Sequence, residues 1–121
     1  MNLNHVGLQV SDVDHAREFF EKLFGLRCTY QQANQIALLE DDAGFSLSVS
    51  NLHGSPPPTY PPDFHVGFVL ERPRDVRNVY DVIKAAGIAI RLDLAESGPS
   101  LAFQCVGPDG IPVEVRAPLD G

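Results

Sequence analysis

This sequence predicts an α+β fold built from two βαβββ units, on the strength of three observations. The tripeptide His-Val-Gly occurs twice, as His5-Val6-Gly7 in NHVGLQV and as His65-Val66-Gly67 in FHVGFVL, each time beside apolar residues. Two more stretches repeat in the same order: EKLFGL is echoed by IKAAGI, setting Gly25 on Gly87, and AGFSLSVSNLHG by DGIPVEVRAPLDG, setting Gly44 on Gly110. Between the copies runs LHGSPPPTYPPD, whose prolines make it a stiff, extended connection. Self-similarity of this kind marks a duplicated supersecondary unit. The chain therefore reads as a single domain over residues 1–121, with repeat 1 at about 1–52, a proline-rich linker at about 53–63 and repeat 2 at about 64–121.

Periodicity justifies each element in turn. Residues 3–10 set apolar Leu3, Val6, Leu8 and Val10 among polar neighbours, as a strand requires. Ala16, Phe19, Phe20, Leu23 and Phe24 then recur at helical spacing, with Ser11 or Asp12 available as cap and Gly25 as stop. Short strands are expected at 27–32, 35–40 and 44–51. In the second copy Pro73 suits a first helical turn, Val76, Val79, Tyr80 and Ile83 repeat the apolar stripe, and Gly87 ends it. Strands are expected again at 88–94, 100–106 and 111–117. The turn signals Asp41-Asp42-Ala43-Gly44 and Gly107-Pro108-Asp109-Gly110 each precede the last strand of a copy.

Composition narrows the function classes. A hydrophobic fraction of 44% over 121 residues is enough for a folded core. The net charge of -7 and the scatter of nine basic residues disfavour a nucleic-acid surface, which needs clustered Lys and Arg. Small molecules or cations are the partners to expect. No stretch approaches the roughly 20 apolar residues of a membrane helix, and MNLNHVG has neither a charged n-region nor an apolar h-region. The expectation is a soluble, cytoplasmic protein that contacts no membrane. Cys28 and Cys105 are not in CxxC spacing and read as buried small apolar side chains.

The chemistry concentrates in three residues. Glu114 is flanked by Val113 and Val115, so in a strand it points to the face opposite them. Taken singly, a solvent-facing glutamate and a satisfied histidine are the commoner outcomes for such positions. Taken together, two histidines at equivalent places in two repeats and one carboxylate in a final strand form a donor set that holds a divalent metal and leaves positions open.

The paired units, NHVGLQVSDVDHAREFFEKLFGL, FHVGF and the closing GPDGIPVEV resemble the vicinal oxygen chelate superfamily over essentially the whole chain. That superfamily includes glyoxalase I, extradiol dioxygenases, fosfomycin-modifying transferases and bleomycin-resistance proteins. The resemblance implies that each unit curls into a half-barrel (the glyoxalase/bleomycin-resistance/dioxygenase fold). It also implies a metal in the cleft, held by His5, His65 and Glu114. The ion would be Fe2+, Mn2+, Ni2+ or Zn2+. It further implies a homodimer in which His5 of one subunit faces His65 and Glu114 of the other.

Departures from the family pattern are informative. Where glyoxalase I enzymes carry a fourth ligand glutamate, the repeat places Ser48, so little glyoxalase I activity is expected. The stretch LAFQCVGPDG offers Gln104 where fosfomycin-modifying and extradiol members usually place a tyrosine, and Gln104 cannot titrate. No catalytic residue beyond the metal ligands is assigned. His15 reads as solvated on a helix, and His53 lies in the linker. Phe45, Phe103 and Tyr60 either wall the cleft or pack in the core. Arg91 and Arg116 either hold an anionic substrate or pair with surface carboxylates. Two functions follow. One is a metal-dependent lyase, dioxygenase or transferase whose ion chelates and polarises substrate oxygens. The alternative is a non-catalytic protein sequestering a cationic antibiotic, which the acidic charge favours.

Overall fold

The structure is a computed structural model that describes residues 1–120. The chain divides into two compact units, Met1–Thr59 and the remainder from Tyr60, with the boundary inside the proline-rich stretch.

Unit 1 runs β1 (His5–Gln9), α1 (Val13–Phe24), β2 (Arg27–Gln32), β3 (Ile36–Glu40) and β4 (Ser46–Ser50). Its strand order is β1-β4-β3-β2, with β1 parallel to β4 and the other pairs antiparallel. Asp12 supplies the cap, its side chain accepting the His15 N–H at 3.0 Å, which satisfies a donor at the helix start. Gly25 ends the helix in the left-handed conformation at φ 70°, which a residue with a Cβ adopts only at a cost. Helix α1 buries Val13, Ala16, Phe19 and Phe20 on the sheet side that carries Ala37 and Leu39 of β3 and Leu47 and Val49 of β4. The expected strand at 3–10 is shorter than its pattern: Leu3 is 88% exposed because no neighbouring strand covers it.

Unit 2 repeats the order with β5 (Val66–Val69), α2 (Pro73–Ala85), β6 (Ile90–Ser97), β7 (Ser100–Val106) and β8 (Pro112–Pro118). The sheet order is β5-β8-β7-β6, and β5 lies parallel to β8. Pro73 begins α2, and Val76 and Ile83 are its buried residues. They pack toward Leu101, Phe103, Cys105, Val113, Val115 and Ala117, the alternate residues of β7 and β8. Strand β6 extends past the expected 88–94 to Ser97, with irregular register at Ile90/Leu92 and at Leu92/Ala95. Such bulges break the two-residue alternation and so hide a strand from pattern reading. The turn before β8 is a short 3-10 turn, Pro108–Gly110. A Cβ on Gly107 would lie 2.9 Å from the Cγ2 atoms of both Ile111 and Val113, so only glycine fits there.

Each sheet therefore has one face packed on its helix and one open face. The register fixes what the open faces carry. In unit 1 His5 pairs with Ser46 and Gly7 with Ser48. In unit 2 Gly67 pairs with Glu114 and Val69 with Arg116. The Gly7–Ser48 pair is thus the counterpart of the Gly67–Glu114 pair, as the repeat predicts.

Candidate functional site

The open face of unit 2 gathers the densest set of chemical groups. Its first member, Glu114, sits in the middle of β8, between the buried valines 113 and 115, so strand alternation turns its carboxylate away from the core. Its partner across the parallel pair is Gly67, and a Cβ on that glycine would lie only 3.8 Å from Oε2. The glutamate thus lies over a residue without a side chain. His65 immediately precedes β5, and its Nε2 stands 4.0 Å from Glu114 Oε2. That distance is too long for a hydrogen bond.

The hydrogen bonds of His65 decide what its Nε2 presents. Nδ1 lies 3.0 Å from the carbonyl oxygen of Asp63, an atom that can only accept. The proton of the neutral ring therefore resides on Nδ1, and Nε2 carries a lone pair. In that neutral form a lone pair and a carboxylate oxygen face each other across 4.0 Å, two donors that a cation would bridge. Fixing Nδ1–H on an oxygen is also how metal-binding imidazoles are oriented. His65 and Glu114 border a hollow of about 280 Å³ with Gly67, Phe68, Val69 and Arg116. Glu114 also lines a second hollow of about 330 Å³, which includes Leu92, Ala95, Ala102 and Gln104.

A polar chain reaches Glu114 from behind. Gln104 is directly opposite it in the β7–β8 register and donates from Nε2 to Glu114 Oε1 at 3.4 Å. Arg91 Nη1 donates to Gln104 Oε1 at 2.6 Å, and Arg91 Nη2 to the Pro62 carbonyl at 2.8 Å. Arg91 thus directs both Nη atoms to neutral amide oxygens, a role beside the two that the sequence suggested, substrate holder and surface ion pair. Gln104, only 8% exposed, is the one buried polar residue among those described. Sequence reading missed this chain because it treated Arg91 and Gln104 separately. The signal was available in the turn: Gln104 and Glu114 are equally distant from Asp109, so a tight hairpin pairs them.

The other predicted residues divide clearly. Arg116 is exposed and lines the hollow beside Glu114. Tyr60 stacks on Phe64 with ring centroids 5.3 Å apart. Its phenol is held above its ordinary value of 10.0, first by burial and then by the nearby charge of Asp109. Phe103 is 1% exposed and meets Tyr80 of α2 edge-on at 5.2 Å, so its ring packs in the core, while the residue also borders the hollow that holds Gln104 and Glu114. Phe45 lies half-buried before β4, its N–H held by Asp41 Oδ1.

In unit 1, His5 repeats the histidine geometry. Its Nδ1 lies 2.8 Å from Asn4 Oδ1, which again leaves Nε2 with the lone pair in the neutral ring. Ser48 is on the same open face as His5, opposite Gly7, with Oγ 3.2 Å from where a Gly7 Cβ would stand. His15 is exposed on α1, and His53 lines a hollow of about 230 Å³ with Gln9, Ser50, Asn51, Leu52 and Ser55. Within neither unit do three His, Cys, Asp or Glu side chains converge closely enough to hold a metal, among the described residues. Both cysteines are free. Burial pushes the Cys105 thiol up to about 11. Among the described residues no helix is long and apolar enough to cross a membrane.

Comparison with known proteins places these features in context. A family model of the Glyoxalase/Bleomycin resistance protein/Dioxygenase superfamily matches residues 2–115. Among solved structures, a possible glyoxalase from Bacillus cereus is 33% identical, with TM-score 0.83 over 95% of this chain and 97% of that one. A glyoxalase/dioxygenase from Nostoc punctiforme shares the fold at 22% identity and TM-score 0.80, covering 97% of this chain and 90% of that one. A lactoylglutathione lyase from Agrobacterium tumefaciens does so at 17% identity and TM-score 0.80, covering 96% and 92%. No curated protein matches the chain.

Proposed function

The chain belongs to the glyoxalase/bleomycin resistance protein/dioxygenase superfamily, and from that premise we propose that it is a metal-dependent enzyme acting on a small molecule. The reaction is of the lyase, dioxygenase or transferase kind, and the divalent ion is Fe2+, Mn2+, Ni2+ or Zn2+, held by His5, His65 and Glu114. The observation that carries this reading is the 4.0 Å approach of His65 Nε2 to Glu114 Oε2, two electron-pair donors when the imidazole is neutral. When bound, such an ion supplies Lewis acidity, polarising substrate oxygens and stabilising the negative charge that develops on them.

The chain's own groups do the rest. Glu114 brings the one formal charge of the donor set, and the carbonyl of Asp63 holds His65 in the tautomer that binds. The hollow beside Glu114 receives the substrate, with Arg116 at its rim. Ser48, at the place matching Glu114, contributes no second carboxylate, so a bound ion would keep room for a substrate oxygen, and glyoxalase I chemistry would lack its usual base. His65 and Glu114 belong to unit 2 and His5 to unit 1, so the set needs both kinds of unit, and we assign His5 to a second copy of the chain in a homodimer, an exchange that the stiff proline-rich linker favours. Two free thiols suit a reducing cytoplasm.

Metal analysis and calorimetry with Mn2+ on protein purified without a histidine tag test the reading. The wild type should bind about one ion per chain, and Glu114→Gln should weaken binding at least about tenfold, as loss of the charged ligand requires. Unchanged affinity in that variant removes Glu114 from the site. Absence of metal together with tight binding of a bleomycin-type cation favours the drug-sequestering reading, which the net charge of -7 supports.

A further inference from the structure

We propose that Arg91 is a positioning residue that sets the separation of His65 and Glu114 from both sides at once. The inference rests on the metal-site reading above. The guanidinium is a rigid planar fork, so two acceptors bound to its two Nη atoms are fixed relative to each other. One acceptor is the Pro62 carbonyl, in the segment that leads into His65 and whose next residue, Asp63, anchors the His65 ring. The other is Gln104 Oε1, on the strand facing Glu114.

Gln104 transmits the second half of this constraint. With Oε1 facing a guanidinium, its amide cannot reverse, because a flipped NH2 would meet another donor. Nε2 is therefore the group presented to Glu114 Oε1. That contact engages Oε1 and leaves Oε2 toward His65. Arg91 and Gln104 act only through the residues they hold. Groups of this kind typically alter metal affinity about 10- to 100-fold when removed.

The test uses full-length protein, Mn2+ as the probe, and the variants Arg91→Lys, Gln104→Met and their double. Lysine keeps the charge but cannot reach two divergent acceptors. Each single variant should weaken Mn2+ binding about 10- to 100-fold, and the double should be no weaker than the worse single, since both cut one chain. Thermal melting of the metal-free proteins should stay close to wild type. Affinity within twofold of wild type for Arg91→Lys, or additive losses in the double variant, overturns the proposal. If the wild type binds no Mn2+, the metal reading fails, and metal-free crystal structures of wild type and Arg91→Lys decide the positioning role. A Glu114 carboxylate facing His65 only in the wild type sustains the role, and an unchanged carboxylate overturns it.

Discussion

Replacing Phe103 with alanine tests the division of unit 2 into a helix face and an open face. Phe103 is 1% exposed and meets the Tyr80 ring edge-on. A buried aromatic removes on the order of 150 to 250 Å² from water, and truncation to alanine gives up roughly 130 Å² of that, worth about 3 kcal/mol at ~25 cal/mol per Å². Loss of the edge-on pair adds about 1 kcal/mol, for a total of about 4 kcal/mol, inside the range of about 3 to 5 kcal/mol seen for such changes. With a urea slope of about 2 kcal/mol per M, the unfolding midpoint should fall by about 2 M. Circular dichroism of the urea transition measures this, with Leu92→Ala as the control. Leu92 is 53% exposed on the opposite side, and its replacement should cost under about 1 kcal/mol. If the two substitutions cost the same, Phe103 does not pack under α2 and the face assignment of β7 is wrong.

Three further outcomes are expected. Tyr80→Phe should lower stability near neutral pH, where the Tyr80 hydroxyl donates to Asp93. That bond is the main cause holding Asp93 below its ordinary 3.8 and Tyr80 above its ordinary 10.0. The difference between wild type and variant should therefore narrow as pH falls through the lowered Asp93 value, and again as it rises through the raised Tyr80 value. Native protein at pH 8 should expose one thiol to a disulfide reagent, half-buried Cys28, while Cys105 reacts only on unfolding because burial keeps it protonated up to about 11. Light scattering at micromolar concentration should show a dimer, and a monomer with metal still bound would mean that one chain supplies all three donors.

Much of the architecture was legible in the sequence because it is written twice. The paired His-Val-Gly strands, the phenylalanine stripe of α1 and the GPDG turn each have a local signal, and the register makes Ser48 the counterpart of Glu114 as the repeat foretells. The end of β6 was not legible, since bulges at Leu92 and Ala95 scramble its alternation. Asp12 rather than Ser11 caps α1, a choice between two adequate residues that only the geometry makes. The role of Arg91 was hidden for a different reason. Its acceptors are a carbonyl 29 residues away and a glutamine on the neighbouring strand, and no local pattern encodes either.

The parallel pairing of β5 with β8 has a consequence for how this face comes into being. Strand β5 has one ladder neighbour, β8, and nearly the whole unit lies between them in sequence. Closing so long a loop is entropically costly and slow, so the hairpins of β6, β7 and β8 can form first, with β5 docking onto them last. Until that final step His65 and Glu114 belong to unconnected parts of the chain. Any excursion that peels β5 from the sheet edge parts them again. An ion that bridges the two would act as a clasp on this seam, raising its opening free energy by RT ln(1 + c/Kd) at free-ion concentration c and so making the edge strand's exchange with solvent depend on ion concentration.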